Sequence, residues 1–165
     1  MNGKILVACI GNIFLGDDAF GVEVAQRLAN HPLPERVTVV DFGIRSYDLA
    51  YSIMQGWDLV ILVDALPQGG KPGTLYVFEP RLPSKSENSI SLDAHTMNPV
   101  SVLQLVRALG GSVDRLLVVG CEPEHLEPRA DGNVGLSPGV QGALDEAVRM
   151  IEGLIARARR DVLAA

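Results

Sequence analysis

The stretch KILVACIGNIFLGDDAFG, residues 4–21, decides the fold, because an apolar run passes through a glycine-rich loop into a helical pattern. Residues 4–10 form an apolar run of the kind found in a strand that is covered on both faces in a parallel sheet. After the loop, Phe20, Val24 and Leu28 recur at helical spacing. This order is the first half of a β-α-β unit, so we expect an α/β fold.

The remainder of the chain repeats this alternation of short apolar runs and helical periodicity. Such alternation predicts a parallel sheet with helices on its two faces. Ser46 is expected to cap the second helix, and Asn98-Pro99 combines a capping side chain with a first-turn proline at the start of the third. The elements predicted after the first helix are strands over residues 37–41, 59–63, 74–78 and 116–119, and helices that begin near Ser46, Asn98 and Ser137.

One strand is expected to run against the others. Only ALPQGGKPG separates Asp64 from residues 74–78, and this is too short for the helical crossover that joins parallel neighbours. The strand over residues 74–78 is therefore expected to be antiparallel.

We predict a single domain over residues 1–165. Its fold is expected to be a three-layer sandwich with a twisted five-stranded, mostly parallel sheet, one antiparallel strand and helices on both faces.

Composition limits the classes of partner. The 165 residues are 47% hydrophobic and 21% charged, which suits one well-packed domain. A net charge of −6 argues against nucleic acid and against anionic membranes as partners. Cys9 and Cys121 lack the CxxC spacing of zinc ribbons and redox pairs. The first apolar run is too short for a signal peptide or a membrane span, so we expect a cytoplasmic protein.

Acidic side chains collect where predicted strands end. In open α/β sheets the binding crevice lies beyond the carboxyl ends of the strands, so these acids are expected at one rim. Two carboxylates about 5 Å apart repel by roughly 3 kcal/mol at an effective dielectric of 20, and such a cluster requires a proton or a cation. The five acids are Asp17 and Asp18 after the first strand, and Asp41, Asp64 and Glu122 after later strands.

His95 adds a nitrogen donor to this group of acids. It lies in a long polar segment, residues 80–97, that is expected to fold over the rim. Two carboxylates and one imidazole suit a borderline divalent metal such as nickel, zinc or manganese. The loop after the first strand spaces its glycines G-x4-G-x4-G, unlike the GxGxxG and P-loop motifs, and its acids would repel a phosphate. The rim therefore favours cations over nucleotides.

Each of these residues also has a structural interpretation. Asp17 is a candidate helix cap, and Asp41 before Gly43 is a candidate turn residue. His95 is equally consistent with a loop histidine. Cys121 is a poor candidate nucleophile because the sequence offers it no evident histidine partner.

Five segments in the same order resemble the hydrogenase maturation proteases, the endopeptidases that process the large subunit of nickel-iron hydrogenases. The resemblance runs from Lys4 to Ile155, and GN-x3-GDD joined to the later motifs is its most specific part. The segments are GNIFLGDDAFG at 11–21, VDA at 63–65, the single His95 before a helix, GCEPE at 120–124 and LSPGV at 136–140.

The resemblance implies removal of a carboxy-terminal extension from the hydrogenase large-subunit precursor after nickel insertion. Matched motif by motif, the catalytic and nickel-contacting residues are Asp18, Asp64 and His95. Nickel would arrive with the substrate, no organic cofactor is expected, and we expect a monomer. This chain departs from the family pattern at Ala19, where relatives often have glycine, and at residues 43–45, where they often carry a Gly-Thr pair. The second departure makes Asp41 a weaker candidate.

Two mechanisms and three rival functions stay open at this point. Nickel could polarise the scissile carbonyl or lower the pKa of a bound water, or one carboxylate with a raised pKa could act as general base. A non-catalytic nickel chaperone or checkpoint protein would use the same residues. A receiver-like phosphoacceptor module would need a lysine after the fifth strand, where this chain has Cys121-Glu122-Pro123. A nucleotide-binding oxidoreductase is disfavoured by the acids in the first loop.

Overall fold

The computed structural model describes residues 3–80, 98–128 and 134–163, and these form five strands and four α-helices. A 3₁₀ turn at Gly16–Ala19 precedes the first helix. In chain order the elements are β1 Ile5–Ile10, α1 Phe20–Leu28, β2 Val37–Gly43, α2 Ser46–Ile53, β3 Leu59–Ala65, β4 Leu75–Phe78, α3 Pro99–Ala108, β5 Leu116–Cys121 and α4 Pro138–Leu163.

The five strands form one sheet in the order β2-β1-β3-β5-β4. β1 pairs in parallel with β2 and β3, and β3 pairs in parallel with β5. β4 runs antiparallel to β5, with Leu75 opposite Cys121 and Phe78 opposite Val118. The predicted antiparallel strand is confirmed, and the short β3–β4 connection explains it.

Helices cover the sheet on both faces, as predicted. Alternate residues of a strand point to opposite faces, and those of β1 divide between two core clusters. Ile5 and Val7 join the cluster that includes the buried side chains of α1 and α4. Leu6 and Ala8 join the cluster that includes those of α2 and α3. β1 and β3 are buried along their whole length, which explains why their sequences are almost continuously apolar.

The 26-residue helix α4 is amphipathic rather than uniformly apolar. Val140, Leu144, Ile151 and Ile155 lie at helical spacing on its buried face. In the parts of the chain that the structure describes, no helix has the length and apolar character needed to cross a membrane.

Several strand ends and one helix start differ from the sequence prediction. β2, β3 and β5 each continue about two residues further, to Gly43, Ala65 and Cys121, because their last residues still pair with a neighbouring strand. The prediction that Ser46 caps α2 is wrong, since Ser46 is already helical and Arg45 occupies the cap position without a capping hydrogen bond from its side chain. Asn98 caps α3 as predicted and accepts a hydrogen bond from the Ser101 backbone N–H at 2.9 Å.

Candidate active site

Asp18 and Asp64 form a pair of acids at the carboxyl ends of β1 and β3. Asp64 is the penultimate residue of β3 and is only 3% exposed. Asp18 lies half-buried in the 3₁₀ turn that follows β1. The two carboxyl groups are close enough for the charge of Asp18 to raise the pKa of Asp64. The structure therefore brings together two of the three residues predicted for the site.

Two glycines allow this close approach. A Cβ atom at Gly11, where φ is +151°, would lie 1.9 Å from the backbone carbonyl oxygen of Asp18. A Cβ atom at Gly21 would lie 2.1 Å from the carbonyl oxygen of Ile10 and 2.7 Å from that of Val63. Only glycine lets the start of α1 rest directly on the ends of β1 and β3. The glycine spacing that matches no nucleotide-binding motif thus has a packing explanation.

Asp18 is held by a residue to which the sequence analysis assigned no role. The backbone N–H of Asn12 donates to Oδ2 of Asp18 at 2.8 Å. Burial raises the pKa of Asp18, and the Asn12 hydrogen bond partly opposes this shift because it favours the ionised form. The sequence signals for Asn12 were its place directly after a strand and its membership of the GN-x3-GDD motif.

Asp64 has a pKa well above the ordinary range of an aspartate. Burial is the largest cause, the charge of Asp18 adds to it, and a backbone hydrogen bond from Ala65 opposes it. Burial and the neighbouring charge both disfavour a negative charge on Asp64. The pair therefore favours retaining one proton or taking up a cation in its place.

Asp17 has a different role from its neighbour. Its Oδ2 accepts hydrogen bonds from the backbone N–H groups of Glu124 at 2.7 Å and His125 at 3.2 Å, and its Oδ1 accepts one from Ser137 at 2.6 Å. Neither the 3₁₀ turn nor α1 has a side-chain cap, so the interpretation of Asp17 as a cap at this position is wrong. Asp17 instead ties the first loop to the segment that leads into α4.

Glu122 is also engaged by the backbone rather than by the acid pair. Its carboxylate accepts hydrogen bonds from the N–H groups of Gln68 at 2.8 Å and Gly69 at 3.0 Å, and from the hydroxyl of Tyr76 at 2.8 Å. Burial raises the pKa of Glu122, but these donors outweigh it and hold the pKa below the ordinary value. Glu122 therefore fixes the loop between β3 and β4.

Asp41 fits its alternative interpretation as a turn residue. It is exposed near the end of β2, and its Oδ1 accepts a hydrogen bond from the Gly43 N–H at 2.8 Å. The expectation that all five acids form one cluster is therefore wrong, since Asp17, Asp41 and Glu122 each bind backbone groups instead. Within residues 3–80, 98–128 and 134–163, no three His, Cys, Asp or Glu side chains converge to hold a metal ion.

His95 lies outside the described residues, as does the rest of residues 81–97. Its place beside the acid pair stays a prediction. The other two histidines have surface partners: Nδ1 of His31 lies 2.8 Å from Oε1 of Glu152, and Nε2 of His125 lies 3.7 Å from Oε1 of Glu124.

The two cysteines are buried free thiols. Burial raises the pKa of Cys121 to about 12, and the charges of Asp17 and Glu122 add to the shift. Burial likewise raises the pKa of Cys9, with a further contribution from Asp41. Both thiols stay protonated near neutral pH, which disfavours either as a nucleophile.

Comparison with known proteins points to one family. Residues 22–154 match the family of hydrogenase maturation proteases. The hydrogenase 2 maturation protease of Escherichia coli K12 is 32% identical over 151 residues, which cover 90% of this chain and 88% of that protein. The fold is similar to that of the hydrogenase maturating endopeptidase HybD from E. coli, with a TM-score of 0.73, 26% identity and coverage of 94% and 93%. It is also similar to an endopeptidase from E. coli, with a TM-score of 0.71, 30% identity and coverage of 90% and 89%.

Proposed function

This chain belongs to the hydrogenase maturation protease family and is a peptidase, and on that basis we propose which bond it cuts and how. The proposed substrate is the large-subunit precursor of a nickel-iron hydrogenase, and the proposed product is that subunit without its carboxy-terminal extension. The observation that carries the chemistry is the buried pair formed by Asp18 and Asp64, in which Asp64 has a strongly raised pKa. We expect the protein to act as a cytoplasmic monomer.

Nickel enters the proposal as part of the substrate. Two neighbouring carboxylates attract a divalent cation, and oxygen donors are acceptable ligands for nickel. Because the described residues bring only two such groups together, the precursor and His95 are expected to supply the remaining ligands. The protein would then contact the metal only when a loaded precursor presents it, which gives a physical basis for processing after nickel insertion.

The chain direction supports a place for His95 near the pair. β5 is parallel to β3, so it begins at the end of the sheet opposite the acids. The helix α3 runs back along the sheet to reach the start of β5. α3 therefore begins at the end of the sheet where the acids lie. Asn98 caps α3 there, and three residues of extended chain reach no more than about 11 Å. Covalent geometry alone thus limits the distance between His95 and the start of α3.

The unequal environments of the two acids suggest their roles in peptide hydrolysis. Asp18, the more exposed acid, accepts the Asn12 hydrogen bond and is proposed to carry the negative charge. Where nickel only marks the loaded precursor and does not displace the proton of the pair, Asp18 takes a proton from a water that attacks the scissile carbonyl carbon, while neutral Asp64 donates its proton to the carbonyl oxygen. As the tetrahedral species collapses, the C–N bond breaks, the leaving amine takes the proton from Asp18, and Asp64 recovers its own.

The test is processing of a nickel-loaded precursor, followed by mass spectrometry of both products. The unaltered protein is expected to release a free peptide and a shortened subunit. Asp18→Asn and Asp64→Asn should each slow release by about 100-fold or more, since they remove a proton carrier. Asp41→Asn is the matched control, an acid at the same rim that only closes a turn, and it should retain activity within a few-fold. Full processing by Asp64→Asn would refute the assigned role.

No observation favours the rival functions considered from the sequence. Family membership disfavours a non-catalytic checkpoint protein and a phosphoacceptor module, because both would lack peptidase activity. The processing experiment distinguishes a peptidase from a checkpoint protein, since a checkpoint protein would bind the loaded precursor and leave its length unchanged. Acetyl phosphate should likewise fail to label Asp64.

A further inference from the structure

Four large apolar side chains are exposed near the acid pair, three on the loops that follow β1 and β2 and one in the first turn of α2. They are Ile13, Phe14, Ile44 and Tyr47, and we call them the apolar rim. Phe14 is 71% exposed and Ile44 is 64% exposed. Single exposed apolar residues need no explanation, but grouped ones beside a catalytic site mark a surface for a partner.

The two loops that carry the apolar rim are adjacent. β1 and β2 are neighbouring strands, and Ile10 at the end of β1 pairs with Gly43 at the end of β2. The N–H of Gly11 donates to the carbonyl oxygen of Gly43 at 3.0 Å, so the contact continues beyond the strands. Ile13, Phe14 and Ile44 therefore extend from two loops that are joined at their bases, and Tyr47 follows in the first turn of α2.

The first loop is held in place by its own hydrogen bonds. Oδ1 of Asn12 accepts from the Phe14 N–H at 2.9 Å, and the Asn12 carbonyl accepts from the Leu15 N–H at 3.1 Å. The backbone N–H of the same Asn12 donates to Asp18. Ile13 and Phe14 are thus presented to solvent from a turn that is bonded directly to one of the two acids.

The second loop is held by Arg45, next to Ile44. The guanidinium donates to the backbone carbonyls of Asp41 at 2.5 Å and Phe42 at 3.0 Å. The Arg45 N–H also donates to the Phe42 carbonyl at 2.9 Å. A preformed turn lowers the entropy lost when its side chains are ordered in an interface, so it suits a binding role.

We propose that the apolar rim is the docking surface for the hydrogenase large-subunit precursor, and that it contacts an apolar segment of that protein near its scissile bond. This inference rests on the proposed function. The first loop is bonded to Asp18 through Asn12 and the second loop lies beside the first, so a polypeptide whose peptide bond reaches the acid pair is expected to pass these loops. A second copy of this chain seated there would obstruct the approach to the pair.

The test separates docking from chemistry by measuring KM and kcat for processing of the nickel-loaded precursor. Phe14→Ser and Ile44→Ser should each raise KM by about 10-fold, and the double variant should raise it further, with kcat little changed. Phe78→Ser is the matched control, because Phe78 is an exposed aromatic residue on β4 at the far edge of the sheet. It should leave both constants unchanged, and thermal melting should show that all variants fold.

Binding measured without cleavage keeps this inference distinct from the proposed function. In an Asp64→Asn background, adding Phe14→Ser should weaken precursor binding by about 10-fold, whether or not the unaltered protein cuts the precursor. Equal affinity with and without Phe14→Ser would overturn the docking surface and leave the peptidase assignment standing. A change in self-association with no change in precursor affinity, measured by sedimentation, would also overturn it by making a second copy the occupant.

Discussion

Asp17 and Asp18 are adjacent in the chain, and their surroundings differ completely. Asp17 accepts three backbone hydrogen bonds from the segment over Glu124 to Ser137, so its charge is satisfied by the protein itself. Among the described residues, Asp18 accepts one from Asn12, and its charge raises the pKa of Asp64. Residue type and position in the sequence are thus poor guides to role, and the number of hydrogen-bond donors around each carboxylate is a better one.

The same contrast holds between the two most buried acids at the ends of later strands. Glu122 is surrounded by donors that keep its pKa low, whereas Asp64 is buried beside a second acid and has a raised pKa. A carboxylate satisfied by donors stabilises the fold, and one left with a repelling neighbour costs stability. Such a cost is retained where the group performs chemistry.

The largest expected loss of stability follows removal of the Asp17 carboxylate, which accepts three backbone hydrogen bonds. Asp17→Ala leaves three N–H groups without their acceptor and should lower the free energy of unfolding by about 3 kcal/mol. Urea denaturation followed by circular dichroism measures this loss. Asp41→Ala serves as the control, because Asp41 is exposed and accepts one turn hydrogen bond, and it should cost less than about 1 kcal/mol. Equal losses in the two variants would remove the distinction between Asp17 and the other acids.

An intermediate effect is expected from moving the two acids apart. Gly21→Ala forces a Cβ atom against the carbonyl oxygens of Ile10 and Val63, which should cost about 1–3 kcal/mol. It should also slow processing by about 10-fold or more, because α1 carries the turn with Asp18 away from Asp64. Gly142→Ala in α4 is the control, since its Cβ would meet no atom within 4 Å. That variant should be as stable as the unaltered protein or more so.

The smallest expected effect is a gain in stability. Burial of Asp64 raises its pKa above the ordinary value of 3.8, so the folded protein binds more protons than the unfolded chain in the interval between the two values. Stability from this group is therefore complete below pH 3.8 and is lost as the pH rises through the raised pKa. Asp64→Asn removes this dependence and should stabilise the protein by about 1 kcal/mol at neutral pH.

Thermal melting from pH 4 to pH 8 checks this gain and its sign. The difference in Tm between Asp64→Asn and the unaltered protein should widen as the pH rises. A constant difference across the range would show that Asp64 ionises no differently in the folded and unfolded protein. The contrast between Glu122, which is held by hydrogen-bond donors, and Asp64, which lies near a second acid, would then no longer hold.

Much of the fold could be predicted because it depends on local patterns. Apolar runs and helical spacing identified the five strands and four α-helices of the described residues, and the short connection before β4 required an antiparallel partner. The errors lie at boundaries, as at Ser46 and at the end of β2. There, pairing of Gly43 with Ile10 and the contacts of Arg45 decide where each element stops or starts.

Less of the site could be predicted, because it depends on contacts between distant segments. Topology predicted Asp18 and Asp64 at one edge of the sheet, and in the structure the charge of Asp18 contributes to the raised pKa of Asp64. The predicted topology could not distinguish Asp17 from Asp18, since the donors to Asp17 come from residues more than a hundred positions away in the sequence. The place of His95 and the role of nickel stay predictions.

The amino-acid sequence by itself determined the order of strands and helices, the direction of β4 and the end of the sheet at which the acids gather. These follow from side-chain periodicity and connection length, which act over a few residues. Only the tertiary structure decided which carboxylates receive several hydrogen bonds and which two are left with raised pKa values. That division arises because glycine contacts and strand pairing bring distant backbone groups within hydrogen-bonding distance, and no local pattern encodes those distances.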